Sequence, residues 1–201
     1  MQTKTSISNL ALSHLAVGKE ISSIETENSE EARVCRRFYD IALRKTLREF
    51  IADFSTRIIA LPLIESDPNS EWGYSYRYPN NCLLVRRILS GVRNDNRQSR
   101  IPFKISSDNQ GRAIWTDQQN AEIEYTHEIT DPNYFPDDFI LAFSYYLAFL
   151  ISPRVTGGDQ FALGKRAFEL YHLEINKALA QSANESQVDE EPDSQFIRER
   201  G

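Results

Sequence analysis

Three histidines, two cysteines and one arginine-dense stretch are the side chains of this 201-residue chain best suited to chemistry. A metal site needs imidazoles and thiolates at short, recurring spacings. His14, His127 and His172 stand far apart, and neither Cys35 nor Cys82 belongs to a C-x-x-C pair. No H-E-x-x-H, G-x-S-x-G or Gly-rich phosphate loop occurs. Gly157-Gly158 precedes a helix but lacks the lysine of a phosphate cradle. Structural or surface roles are therefore expected for the histidines, with a triad from His14 or His172 and distant Ser and Asp left open. No catalytic residue, metal or cofactor is assigned.

A reactive thiol needs a base or a positive field, which Arg86 or Arg87 could supply to Cys82. A small apolar side chain at a strand start fits the buried habit of cysteine better, and Cys35 on a helical stripe reads the same way. Asp137-Asp138 and Asp189-Glu190-Glu191 fall at a helix start and in an acidic tail, as helix-dipole and solvating charge. The strongest electrostatic feature is the run from 86 to 100, where Arg86, Arg87, Arg93, Arg97 and Arg100 face only Asp95. It is either a solvated edge or a contact for phosphates or an acidic partner. The formal charge of -6 argues against generic polyanion binding.

The elements that must position these residues fall into three kinds. Ile7, Leu10, Ala11 and Leu15 share one face of a helix over 6–17, with Ser6 as N-cap and Gly18 as stop. Asn28 and Glu31 have capping-box spacing before a second helix whose stripe is Ala32, Cys35, Tyr39, Ala42, Thr46, Phe50 and Phe54. From there to about 130, short β-branched and aromatic runs (RIIALPL, YSYRY, CLLVRRIL, PFKIS, RAIWT, AEIEYTHEI) predict an antiparallel β module. Asp108 to Gly111 and Asp117 to Asn120 are expected hairpin turns, and Pro79 a strand end. Trp72, Tyr74, Tyr76 and Tyr78 alternate onto one strand face, as a packed or intersubunit wall.

Helix returns after Asp131-Pro132. The run from Phe139 to Ile151 is apolar on all sides but Ser144, too short to span a bilayer at roughly 20 residues, and so reads as a buried helix. Ser152-Pro153 should end it, and the next helix buries Phe161, Phe168, Tyr171, Ile175 and Leu179. No secretion signal is read at the N-terminus. The predicted fold is α+β: a helical body from 1–57 and 131–181, a β module inserted at 58–130, and a flexible acidic tail at 182–201. Six acids against Arg198 and Arg200 set the tail's charge.

The order of these features resembles the tail tubular protein A family, the head-to-tail adaptors of short-tailed bacteriophages. The likeness covers about 1 to 181. It rests on the helix holding Ile7-Ser8-Asn9-Leu10-Ala11-Leu12, the helix ARVCRRFYDIALRKTLREF and the aromatic run from Trp72 to Leu83. It continues through Tyr125 to Pro132 and Phe135 to Phe139. Asn81 and Arg77 depart from the pattern, where aspartate and a smaller residue are more usual. The resemblance implies a non-enzymatic virion protein at the head-tail junction, made in the host bacterial cytoplasm. It would be a homo-oligomeric ring, typically of twelve copies, between portal protein and tail nozzle protein, enclosing double-stranded DNA without a membrane anchor. In that setting Phe196, Ile197, Arg198 and Arg200 are expected to dock on the portal. The five arginines from Arg86 to Arg100 are expected to meet the channel or a neighbour. The alternatives are a virion-borne cell-wall hydrolase using Glu31, Asp40 or Glu124, or a module binding packaged DNA.

Overall fold

The computed structural model describes residues 2–50, 53–91, 101–158 and 162–185, with side chains up to 181. Among the described residues, four α-helices and two small antiparallel sheets make the chain α+β. The helices are α1 (Lys4–His14), α2 (Glu30–Glu49), α3 (Asp137–Val155) and α4 (Leu163–Glu185). The strands β1 (Thr56–Ala60), β2 (Leu63–Asn69), β3 (Trp72–Arg77), β4 (Cys82–Ile88), β5 (Phe103–Asp108), β6 (Gly111–Thr116) and β7 (Glu122–His127) all lie between α2 and α3. The strands thus extend slightly outside 58–130 at the start, and α4 runs four residues past 181. The rest of the acidic tail lies outside the described residues.

Local chemistry places the helix ends, though not always on the expected residue. Thr3, not Ser6, caps α1: Ser6 N–H donates to Thr3 Oγ1 at 3.0 Å while Thr3 N–H donates to Ser6 Oγ at 2.9 Å. Ser6 is thus the reciprocating partner, which starts the helix before its apolar stripe. Ala16, at φ 55, turns the chain out of α1, so the left-handed position is not Gly18. Ser29 rather than Asn28 caps α2, accepting from Ala32 N–H at 3.3 Å. Glu31 instead reaches Lys19 at 2.9 Å.

Pro153 does not end α3, which continues to Val155. Proline removes the N–H that would have reached the Phe149 carbonyl. Ser152 Oγ donates to that carbonyl at 3.1 Å, so the missing backbone donor is replaced. α3 is long and apolar enough to cross a membrane by length and composition. Here α1, α2 and α4 pack around it, and Phe139, Phe143, Leu147 and Ile151 are fully buried. Burying each such side chain stabilises the fold by roughly 1.5–3 kcal/mol. The α2 stripe from Ala32 to Thr46 is buried as its spacing predicts. On α4 the stripe is Ala167, Tyr171, Ile175 and Ala178; Leu179 is exposed and Phe161 is outside the described residues.

The β module is a two-sheet sandwich. One sheet has the order β1-β7-β4, the other β2-β3-β6-β5. Its core is Tyr76, Tyr78, Val85, Ile88, Ile114, Ile123 and Tyr125, with Cys82 among them. The hairpin at Asp108 to Gly111 forms as predicted, joining β5 to β6. The turn at Asp117 to Asn120 does not close a hairpin, because β6 and β7 belong to different sheets. RIIALPL is likewise two strands rather than one, bent at Leu61-Pro62 where the chain passes between sheets. Proline removes a ladder donor there, while Leu61 N–H bonds Ala121 O at 2.9 Å.

Candidate interaction surface

The residues with chemical potential are mostly held in structural contacts. Cys35 is fully enclosed, and burial pushes its thiol up to about 11. Burial also raises the Cys82 thiol, which sits beside the Tyr78 hydroxyl. Both shifts run opposite to what a nucleophile needs. His14 Nε2 lies 3.0 Å from Ser144 Oγ, a pairing of α1 with α3 that the sequence left open. Ser144 Oγ also donates to the Leu141 carbonyl at 2.8 Å. Both contacts are satisfied when His14 carries its proton on Nε2 and donates, which leaves no base facing the serine proton. Burial lowers the His14 pKa.

The hydrolase carboxylates are not gathered either. Glu31 and Asp40 are nine residues apart on α2, about 13 Å along the axis, beyond the roughly 5–9.5 Å of a glycosidase pair. Glu124 is on β7, bound to Arg87 at 2.7 Å. Among the described residues no group of three or more His, Cys, Asp or Glu could hold a metal ion.

The arginine cluster divides. Arg87 crosses from β4 to Glu124, and Arg86 Nε donates to Thr126 Oγ1 at 3.1 Å. A bulge between Val85 and Arg87 accompanies these two neighbouring contacts to β7. Arg93, Arg97 and Arg100 lie outside the described residues, as do Phe196, Ile197, Arg198 and Arg200. The predicted aromatic wall is closed only in part: Tyr76 on β3 and Tyr78 just beyond it are buried in the sandwich interior, Trp72 and Tyr74 are half-buried, and Tyr76 Oη donates to Gln118 O at 2.9 Å. Arg112 stacks 3.8 Å over the Tyr78 ring. Arg77, on the opposite face, makes a two-pronged contact with Asp108 at 2.9 and 2.8 Å.

What the sequence reading missed is that the run RIIALPL opens two edge strands, β1 and β2, in different sheets. Each forms an edge of its sheet, and no described strand pairs with its outer side. Ile58 and Ile59 are 60% and 41% exposed on successive positions of β1; Leu63 and Ile64 repeat this on β2 at 54% and 37%. Successive strand residues point to opposite faces, so both faces of this edge are apolar and open. An unpaired edge of this kind is a template for strand pairing. The acidic, Pro68-containing sequence after Ile64 reads as a loop, which hides β2; the adjacent aliphatics flanking Pro62 were the available signal.

No family model matches this chain, and no curated protein matches it either. Its functional reading therefore rests on its own residues and on the resemblance noted above.

Proposed function

We propose that this protein is a structural head-to-tail adaptor of a short-tailed bacteriophage. In this reading it forms a ring, twelve copies by analogy, at the head-tail junction. Portal protein lies on one side, tail nozzle protein on the other, and double-stranded DNA passes within. The observation that carries the reading is the pair of unlike halves: a closed helical body, and a β module whose edge strands leave Ile58, Ile59, Leu63 and Ile64 uncovered. A ring needs two dissimilar surfaces on each copy, and exposed aliphatics of this number suit an obligate assembly. The buried thiols, the pairing of His14 with a serine already bonded to the Leu141 carbonyl, and the separated carboxylates favour this over a hydrolase. Mass measurement of the full chain alone and mixed with its portal protein tests the proposal. A discrete ring that forms on portal addition supports it; a monomer that leaves the portal unchanged overturns it.

A further inference from the structure

We infer that neighbouring copies join by continuing the four-stranded sheet, with β2 of one copy pairing against β5 of the next. This rests on the ring reading for its closure, but its evidence is the register of the sheet. The order β2-β3-β6-β5 leaves β2 and β5 as the two edges, without a further partner among the described strands. All three contacts in that order are antiparallel, so β2 and β5 themselves run in opposite directions. A β5 strand from a second copy laid beside β2, sheet in line with sheet, therefore makes an antiparallel pair.

The rows of the sheet show what such a pair brings together. One row runs Glu65, Ser75, Trp115, Lys104; the next runs Leu63, Tyr76, Ile114, Ile105; a third runs Ser66, Tyr74, Thr116, Phe103. Continued from copy to copy without offset, the rows set Glu65 against Lys104, Leu63 against Ile105 and Ser66 against Phe103. Each end of the sheet thus supplies what the other lacks: an acid meets a base on one face, and two half-exposed aliphatics meet on the other. The paired span is short. Asp67, at φ 52, and Pro68, which has no N–H, stop the ladder after Ser66. The contact is heterologous, since β2 does not offer β2 a complementary charge, and it generates rings or filaments instead of closed dimers.

The test uses the full chain with Glu65→Cys and Lys104→Cys together, mixed with its portal protein so that the outcome does not depend on the chain assembling alone. Within one copy these positions are three strand spacings apart, about 14 Å, too far for a disulfide. Mild oxidation is expected to give a covalent ladder of dimers, trimers and higher species on a non-reducing gel, while each single variant gives none. No ladder from the double variant, or a dimer from Glu65→Cys alone, overturns the inference. Charge reversal gives a second reading by sedimentation. Glu65→Lys or Lys104→Glu should raise the concentration needed for assembly about tenfold, and the combined variant should restore it. Three unshifted variants also overturn the inference. If the wild type forms discrete rings while the ladder is absent, the edge contact is wrong and the adaptor reading stands. A ladder with only open filaments has the reverse meaning.

Discussion

Arg44 on α2 donates from Nε to Glu128, the residue just past β7, at 2.8 Å, an ion pair between residues 84 apart in sequence that joins the helical body to the β module. Leu83 and Ile129 also pack against the helical core near this junction. Because Arg44 is 56% exposed, solvent screens the pair. A double-mutant cycle with Arg44→Ala and Glu128→Gln, read by urea unfolding, should give a coupling below about 1 kcal/mol. A larger coupling would mean that the pair controls how the two halves unfold together.

The aromatic cluster around Phe139 should matter far more. Its ring meets Phe50, Phe54, Phe135 and Phe143 at centroid distances of 5.0–6.1 Å. Phe139→Ala should cost about 3–5 kcal/mol, since the side chain is fully enclosed and its neighbours belong to separate elements that cannot all collapse inward. Denaturant midpoints for wild type and variant decide this; a loss below 1 kcal/mol contradicts the packing described.

Ser152 and Pro153 form a compensated pair, so their substitutions should not add. Ser152→Ala leaves the Phe149 carbonyl without its donor and should destabilise by about 1–3 kcal/mol. Adding Pro153→Ala restores a backbone N–H at the right place and should recover most of that loss. Additive effects in thermal unfolding would show that the serine acts otherwise.

Acid should weaken the β5–β6 turn. The Arg77 guanidinium, aided by Gln110 N–H, holds Asp108 down to about 2, against an ordinary value of 3.8. A carboxylate lowered on folding contributes stability that is complete above pH 3.8 and is lost as pH falls through about 2. The Asp108 carboxyl carbon, followed by NMR, should titrate near 2 in the wild type and move toward 3.8 in Arg77→Ala. Glu27, also held at about 2 by hydrogen bonds led by Ser29, should be unaffected.

Histidine gives a second pH signature, with the same sign. Burial lowers the pKa of His14, and burial, then Arg57, lowers that of His127. The unfolded chain binds protons more readily at these sites, so stability is complete above pH 6.5 and declines as pH drops through the lowered folded values. His14→Gln should flatten part of that decline in urea midpoints measured between pH 8 and 5. An unchanged slope, or a His14 NMR midpoint above 6.5, contradicts the lowering of its pKa by partial burial.

Much of this architecture was written locally. The α2 stripe and the Asp108 to Gly111 hairpin follow from spacing and turn chemistry within a few residues, because a helix face and a two-residue loop are satisfied by near neighbours. Composition and spacing also determined the order of helix, strands and helix along the chain. Partners far along the chain were not legible. Nothing near Arg87 points to Glu124, 37 residues away, and nothing near His14 points to Ser144, 130 residues away. Sheet membership was equally hidden: Asp117 to Asn120 has the composition of a hairpin turn, yet it carries the chain from one sheet to the other. Strand pairing is chosen by which faces can be buried together, here Tyr76 and Ile114 against Ile123 and Tyr125. That choice also decides which strands are left as edges, and so only the tertiary structure placed Ile58, Ile59, Leu63 and Ile64 on an open surface.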